Sequence, residues 1–88
     1  MAEMAEQESA AERVRRVVAK LAPTRVPTVG SEDRIVEDLG YDSLAVLELV
    51  FALEEEFGLH AIGMERALHL TTVGDVEELL DRLTRTGA

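Results

Sequence analysis

The stretch EDLGYDSLAVLELVFALEEEFG, residues 37–58, decides how this chain folds. A glycine (Gly40) precedes an Asp-Ser pair, then fourteen residues run without Gly or Pro until Gly58. That punctuation predicts a helix from about Ser43 to Phe57, with Gly58 as its C-terminal stop. At roughly 100° per residue, Val46, Leu49, Val50, Leu53 and Phe57 form one broad stripe, the natural core face. Leu44, Leu47 and Phe51 fall on the opposite side, bordered by Glu48, Glu54 and Glu55. A bundle helix with one buried face has no need of a second apolar stripe. Either the third helix or the long loop folds over it, or its members are scattered exposed apolars, or it is a docking face for partners that offer apolar pockets with Arg or Lys rims.

Working outward, three more helices are expected. The first opens with Ser9-Ala10-Ala11-Glu12, a capping box in which each end satisfies the other's free N–H. Val14, Val17, Val18 and Leu21 then follow at i, i+3, i+4 and i+7, and Pro23 ends it. A long loop carrying two prolines and two glycines leads to the Asp-Ser pair, with short turns near Glu32 to Asp38 and with Val26, Val29, Ile35 and Leu39 as its anchors to the core. A short third helix covers about Met64 to Leu68. The fourth starts at Thr72 with Asp75 as its capping partner and continues through Val76, Leu79, Leu80 and Leu83, with Arg82 and Arg85 favourably placed near its C-terminal dipole. The expected fold is all-α: a small four-helix bundle of three longer helices and one short one, with a long loop between the first two.

Composition agrees with packed helices. The chain has 88 residues, 47% hydrophobic, but only 3% are aromatic, so the core is built from Val, Leu, Ile and Ala. That length suits one domain over 1–88, with residues 1–8 as a frayed tail. The absence of cysteine excludes disulfides, thiolate metal sites and cysteine nucleophiles. The opening MAEMAEQESAAE is polar and acidic, unlike a signal peptide, and no apolar run reaches membrane-spanning length. A cytoplasmic monomer is expected. The net charge is −9, and residues 31–58 hold nine acids against Arg34 alone. A field of that sign disfavours nucleic acid and anionic lipid and favours basic partner surfaces.

Ser43 has two readings. Serine is a good N-cap at a helix start, although Asp42 could cap equally well. A group attached to its Oγ through a phosphate would sit where free N–H groups and the helix dipole favour an anion. A nucleophilic role lacks its apparatus, since the histidines are His60 and His69. The predicted helix carries His60 some 20 Å away at about 1.5 Å per residue. The run Glu54-Glu55-Glu56 points in different directions around the helix and cannot converge on one ion. There is no zinc spacing and no Gly-rich phosphate loop.

Residues 37–58, with LGYDSL opening an acidic, two-faced helix after a long loop, resemble the prosthetic-group region of acyl carrier proteins. The order of the other helices is similar across the rest of the chain. The resemblance implies that Ser43 receives 4'-phosphopantetheine from coenzyme A through a phosphopantetheinyl transferase, with Asp42 as the preceding acid. It implies that Leu44, Leu47, Glu48, Phe51, Glu54 and Glu55 dock on the transferase and on ketosynthase- or acyltransferase-type enzymes with basic surfaces. The protein itself would be no enzyme. Its imported thiol would hold acyl or polyketide intermediates as thioesters.

Two features depart from the common pattern. The third-helix segment LHAIGMERALHL lacks the isoleucine–proline–acid opening of many members, and position 45 is Ala where fatty-acid carriers often have an acid. In this respect LGYDSLA is similar to discrete carriers of aromatic polyketide pathways. The alternatives within the class are a peptidyl or aminoacyl carrier, which more often has a second glycine where this chain has Tyr41, and a fatty-acid-synthesis carrier. The alternative outside it is an unmodified helical interaction module.

Overall fold

A computed structural model describes residues 8–60 and 62–86. The described residues form four helices: α1 (Ala10–Leu21), α2 (Ser43–Phe57), α3 (Met64–Ala67) and α4 (Val73–Thr86). The all-α four-helix bundle is as expected, down to the short third helix and the long α1–α2 loop. Most of the expected tail lies outside the described residues. Glu8, at its inner end, is ion-paired to Arg16 at 2.9 Å.

Each helix begins and ends for a local reason. Ser9 and Glu12 close the capping box on α1. Thr72 Oγ1 accepts the Asp75 N–H at 3.1 Å while an Asp75 carboxylate oxygen accepts the Thr72 N–H at 3.1 Å, the same reciprocal device on α4. Gly58 terminates α2 in the left-handed conformation (φ 67°), and its N–H returns to the Glu54 carbonyl.

The helices α2 and α4 both pack on α1, and α3 packs on α2. Val14, Val17 and Val18 of α1, Leu49, Val50 and Leu53 of α2, and Val76, Leu79 and Leu80 of α4 supply most of the core. Each such side chain is worth about 1.5–3 kcal/mol relative to full exposure. Ala45 is also buried on α2, one residue outside the predicted stripe, while Val46 and Phe57 pack at its margin. Where α1 meets the end of α2, Arg13 lies 4.4 Å above the Phe57 ring and its Nε is 3.1 Å from Glu56.

The α1–α2 loop is ordered by long-range backbone bonds. Ile35 N–H reaches the Thr71 carbonyl (2.8 Å), Val73 N–H the Asp33 carbonyl (2.9 Å) and Gly74 N–H the Ser31 carbonyl (2.8 Å). These stitch residues 31–35 to the start of α4, with Arg34 and Thr72 as an isolated bridge pair. Val29, Ile35 and Leu39 are buried as anchors, and Val26 packs against the core from its edge.

Candidate functional site

The Asp-Ser pair is positioned from both sides. Before it, Gly40 adopts φ 79°, and a Cβ there would collide with Thr24 Oγ1. Tyr41 is 1% exposed and its hydroxyl donates to the Val18 carbonyl at 2.7 Å. Burial pushes the phenol above its ordinary pKa, which keeps it a neutral donor. A motif that would otherwise end a loop is thus fastened to the last turn of α1.

After it, Asp42 is the N-cap of α2. One carboxylate oxygen accepts the Ala45 N–H at 2.8 Å, and its carbonyl accepts the Val46 N–H at 2.8 Å. Of the two capping candidates in the sequence, the structure uses Asp42, which leaves Ser43 as the first helical residue. Ser43 is exposed, and among the described residues neither its hydroxyl nor the N–H groups of Ser43 and Leu44 have a hydrogen-bond partner. An acceptor on Oγ would meet unspent donors and the positive end of the helix dipole.

Beside Ser43 lies a cavity of about 270 Å³ between α2, α3 and α4. Val46, Leu49, Val50 and Leu53 form one wall, Val76, Leu79 and Leu80 another, and Ile62, Ala67, Leu68 and Leu70 a third. Asp42 and Ser43 are its exposed polar margin. An apolar void of this kind accepts an alkyl chain and has little to offer a polar group.

The second apolar stripe of α2 stays open. Leu44 is 64% exposed and Phe51 59%, so no described segment folds over them. Leu47 is half-buried. Glu48 and Glu55 are exposed, whereas Glu54 turns aside, its carboxylate accepting the Ile62 N–H at 3.0 Å. Glu56 faces Arg13 and Arg16, whose hydrogen bonds hold its carboxyl below the usual range. The three consecutive glutamates therefore serve three different purposes. His60 and His69 are exposed, and no group of metal-ligating side chains forms among the described residues.

Two residues that sequence reasoning missed complete the surroundings. Val36 (60% exposed) in the loop and Leu68 (62%) just after α3 both line the cavity that opens beside Ser43. Neither belongs to a periodic stripe, so only the tertiary fold brings them together. A wider groove of about 920 Å³ between α3 and α4, which does not include Ser43, mixes Arg66, Arg82 and Arg85 with Asp75 and Glu78. The acid excess lies in residues 31–58, which hold nine acids against Arg34 alone.

A family model described as a phosphopantetheine attachment site matches residues 12–80. The chain belongs to that family of phosphopantetheine carriers. Its members bear covalently attached 4'-phosphopantetheine, are themselves non-catalytic, and are acted on by phosphopantetheinyl transferases and by biosynthetic enzymes. The residues present fit such a group: an exposed, unbonded hydroxyl at a helix start, two free N–H donors, and an apolar cavity alongside. None of the described helices is long and apolar enough to cross a membrane.

Proposed function

We propose that Ser43 is the attachment residue and that the protein is an acyl carrier serving polyketide or related specialised biosynthesis, as a cytoplasmic monomer. The observation that carries this reading is the unbonded Ser43 hydroxyl at the margin of the apolar cavity. In the modification, Ser43 Oγ forms a phosphodiester as the pyrophosphate of coenzyme A is cleaved. The nucleotide bisphosphate leaves, and the serine proton passes to the transferase. The bound group supplies a thiol that holds an acyl chain as a thioester.

The chain's own residues orient that arm and its visitors. Asp42 holds the first turn of α2 so that Ser43 points outward. The unspent N–H groups of Ser43 and Leu44 favour the phosphate charge. The alkyl part of a cargo can rest against Val46, Leu49 and Leu79. Leu44, Leu47 and Phe51, with Glu48, Glu54 and Glu55 around them, form the docking face, and Val36 and Leu68 extend it around the serine. Basic partner surfaces are favoured by the acids of α2, chiefly through faster association.

Incubation with coenzyme A and a broad-specificity phosphopantetheinyl transferase, followed by intact mass, tests the reading. Wild type gains one phosphopantetheine and Ser43→Ala gains none. No gain on wild type returns the chain to an unmodified interaction module, and a gain on Ser43→Ala moves the site. Glu48→Lys and Phe51→Ala slow the modification while helical circular dichroism is unchanged. Loss of fold in Phe51→Ala would instead make that residue structural.

A further inference from the structure

Lys20 is the only lysine of the chain, and it stands at the same end of the bundle as Ser43. The helices α1 and α2 run antiparallel: Arg13 meets Glu56 and Phe57 at one end, while the Tyr41 hydroxyl donates to the Val18 carbonyl at the other. Lys20 is exposed, two residues beyond Val18, and its amine makes no hydrogen bond or ion pair with any described residue. Its neighbouring cations differ, since Arg15 is bound to Glu77 and Arg16 to Glu8 and Glu56. Lys20 opens onto a groove of about 420 Å³ between α1 and α2, where the apolar Val17, Leu21 and Ala52 lie beside Glu55 and Glu56. Ser43, Leu44 and Glu48 are exposed, so no described segment covers the way along α2 from the serine to this groove.

Reach follows from bond lengths. The path from the Lys20 Cα through the Val18 carbonyl and the Tyr41 side chain bounds its distance to the Ser43 Cα at about 22 Å. A phosphopantetheine arm adds about fourteen chain atoms beyond Ser43 Oγ, which at the advance of an extended backbone span about 16 Å. With the serine and lysine side chains, about 2 and 6 Å long by the same bond lengths, a thioester carbonyl and the amine can meet. Holding both on one molecule makes the encounter intramolecular and raises the effective concentration of the amine. We propose that Lys20 is a self-acylation site: its amine takes the acyl group of a thioester that waits on the Ser43 arm, and the acyl chain settles in the α1–α2 groove. The neutral amine nitrogen attacks the thioester carbonyl carbon. The C–N bond forms as the C–S bond breaks, the electron pair leaves with the sulfur, and the proton lost from nitrogen restores the thiol. No oxidant, reductant or further reactant is needed. The product is an amide that partner enzymes cannot move on as a thioester, on a protein with a vacated arm and one positive charge fewer in the groove of Glu55. This rests on the carrier reading, which supplies the arm.

Loading from butyryl-coenzyme A by a broad-specificity phosphopantetheinyl transferase, followed by removal of the free coenzyme, gives the starting thioester. After incubation, neutral hydroxylamine cleaves the remaining thioester and spares an amide, and intact mass with tryptic mapping locates the butyryl group that is left. Wild type retains one butyryl group, on peptide 17–25, where trypsin no longer cuts after Lys20. The amide forms with a first-order rate constant that an about tenfold dilution leaves unchanged, as an intramolecular reaction requires. Lys20→Arg, which keeps the charge, loads equally, shows the same circular dichroism and retains no butyryl group. Ser43→Ala given the same butyryl-coenzyme A retains none. Complete removal by hydroxylamine overturns the inference, as does butyryl on another peptide, a rate constant that falls with dilution, or equal acylation of Ser43→Ala. Failure of wild type to gain butyryl-phosphopantetheine refutes the carrier reading and takes this inference with it, and the mass recorded directly after loading separates that result from the others.

Discussion

Replacing Tyr41 with Phe isolates one hydrogen bond. The ring is buried and remains so in the variant, so no apolar contact is lost. What disappears is the hydroxyl that donates to the Val18 carbonyl at 2.7 Å. Val18 lies in the last turn of α1, and the Ala22 N–H that would continue the helical ladder to it bonds to the Ala19 carbonyl instead, at 3.4 Å. The carbonyl is thus left without its donor in a buried setting. Loss of a neutral bond together with an unsatisfied partner costs about 1–2 kcal/mol. For a domain of this size that corresponds to a fall in Tm of about 4–16 °C. Thermal unfolding followed by far-ultraviolet circular dichroism measures it, with a urea titration to establish that the m-value is unchanged. Because Tyr41 precedes Asp42 directly, exchange of the backbone amides at 40–42 should also quicken. A Tm equal to wild type would mean that the bond contributes nothing to holding the motif on α1 and that the hydroxyl of Tyr41 is dispensable to the fold.

Asp42→Ala removes the side-chain acceptor of the Ala45 N–H and should cost about 1 kcal/mol, whereas Asp42→Asn, which still caps, should lose only a few tenths. An equal loss in both, measured by urea unfolding, would show that the charge and not the cap is responsible. Acid should destabilise the fold in a defined window. Hydrogen bonds from Arg13 and then Arg16 depress the Glu56 carboxyl, an Arg16 hydrogen bond depresses Glu8, and the backbone N–H groups of Thr71 and Thr72 depress Asp75. A carboxyl lowered in the folded state stabilises above its unfolded value, about 4.5 for glutamate, and that stability is lost as pH falls through the folded value. Tm should therefore be level near neutrality and decline below about pH 4.5, less steeply in Glu56→Gln; a variant with the wild-type profile would remove Glu56 from the account.

Much of this protein is legible in its residue order because helix formation is local. The α2 boundaries follow from a capping residue and a glycine, and the two-stripe arithmetic correctly leaves Leu44 and Phe51 outside the core. The same arithmetic puts Leu47 and Glu54 on the outer face, where the fold half-buries the first and turns the second toward Ile62. Angles around one helix say nothing of the segment that returns beside it.

Sequence alone determines where the helices start and stop and which apolar stripe is available for burial, since these depend on neighbours a few residues away. Tertiary structure decides the rest. Tyr41 is an anchor only because α1 passes within hydrogen-bond reach. Val36 and Leu68 meet beside Ser43 only because backbone bonds stitch the loop to α4 and α3 folds back on α2. The cavity exists only because α2 and α4 lean on α1 rather than closing on each other. Such features arise from contacts between residues distant in the chain, and no local periodicity records them.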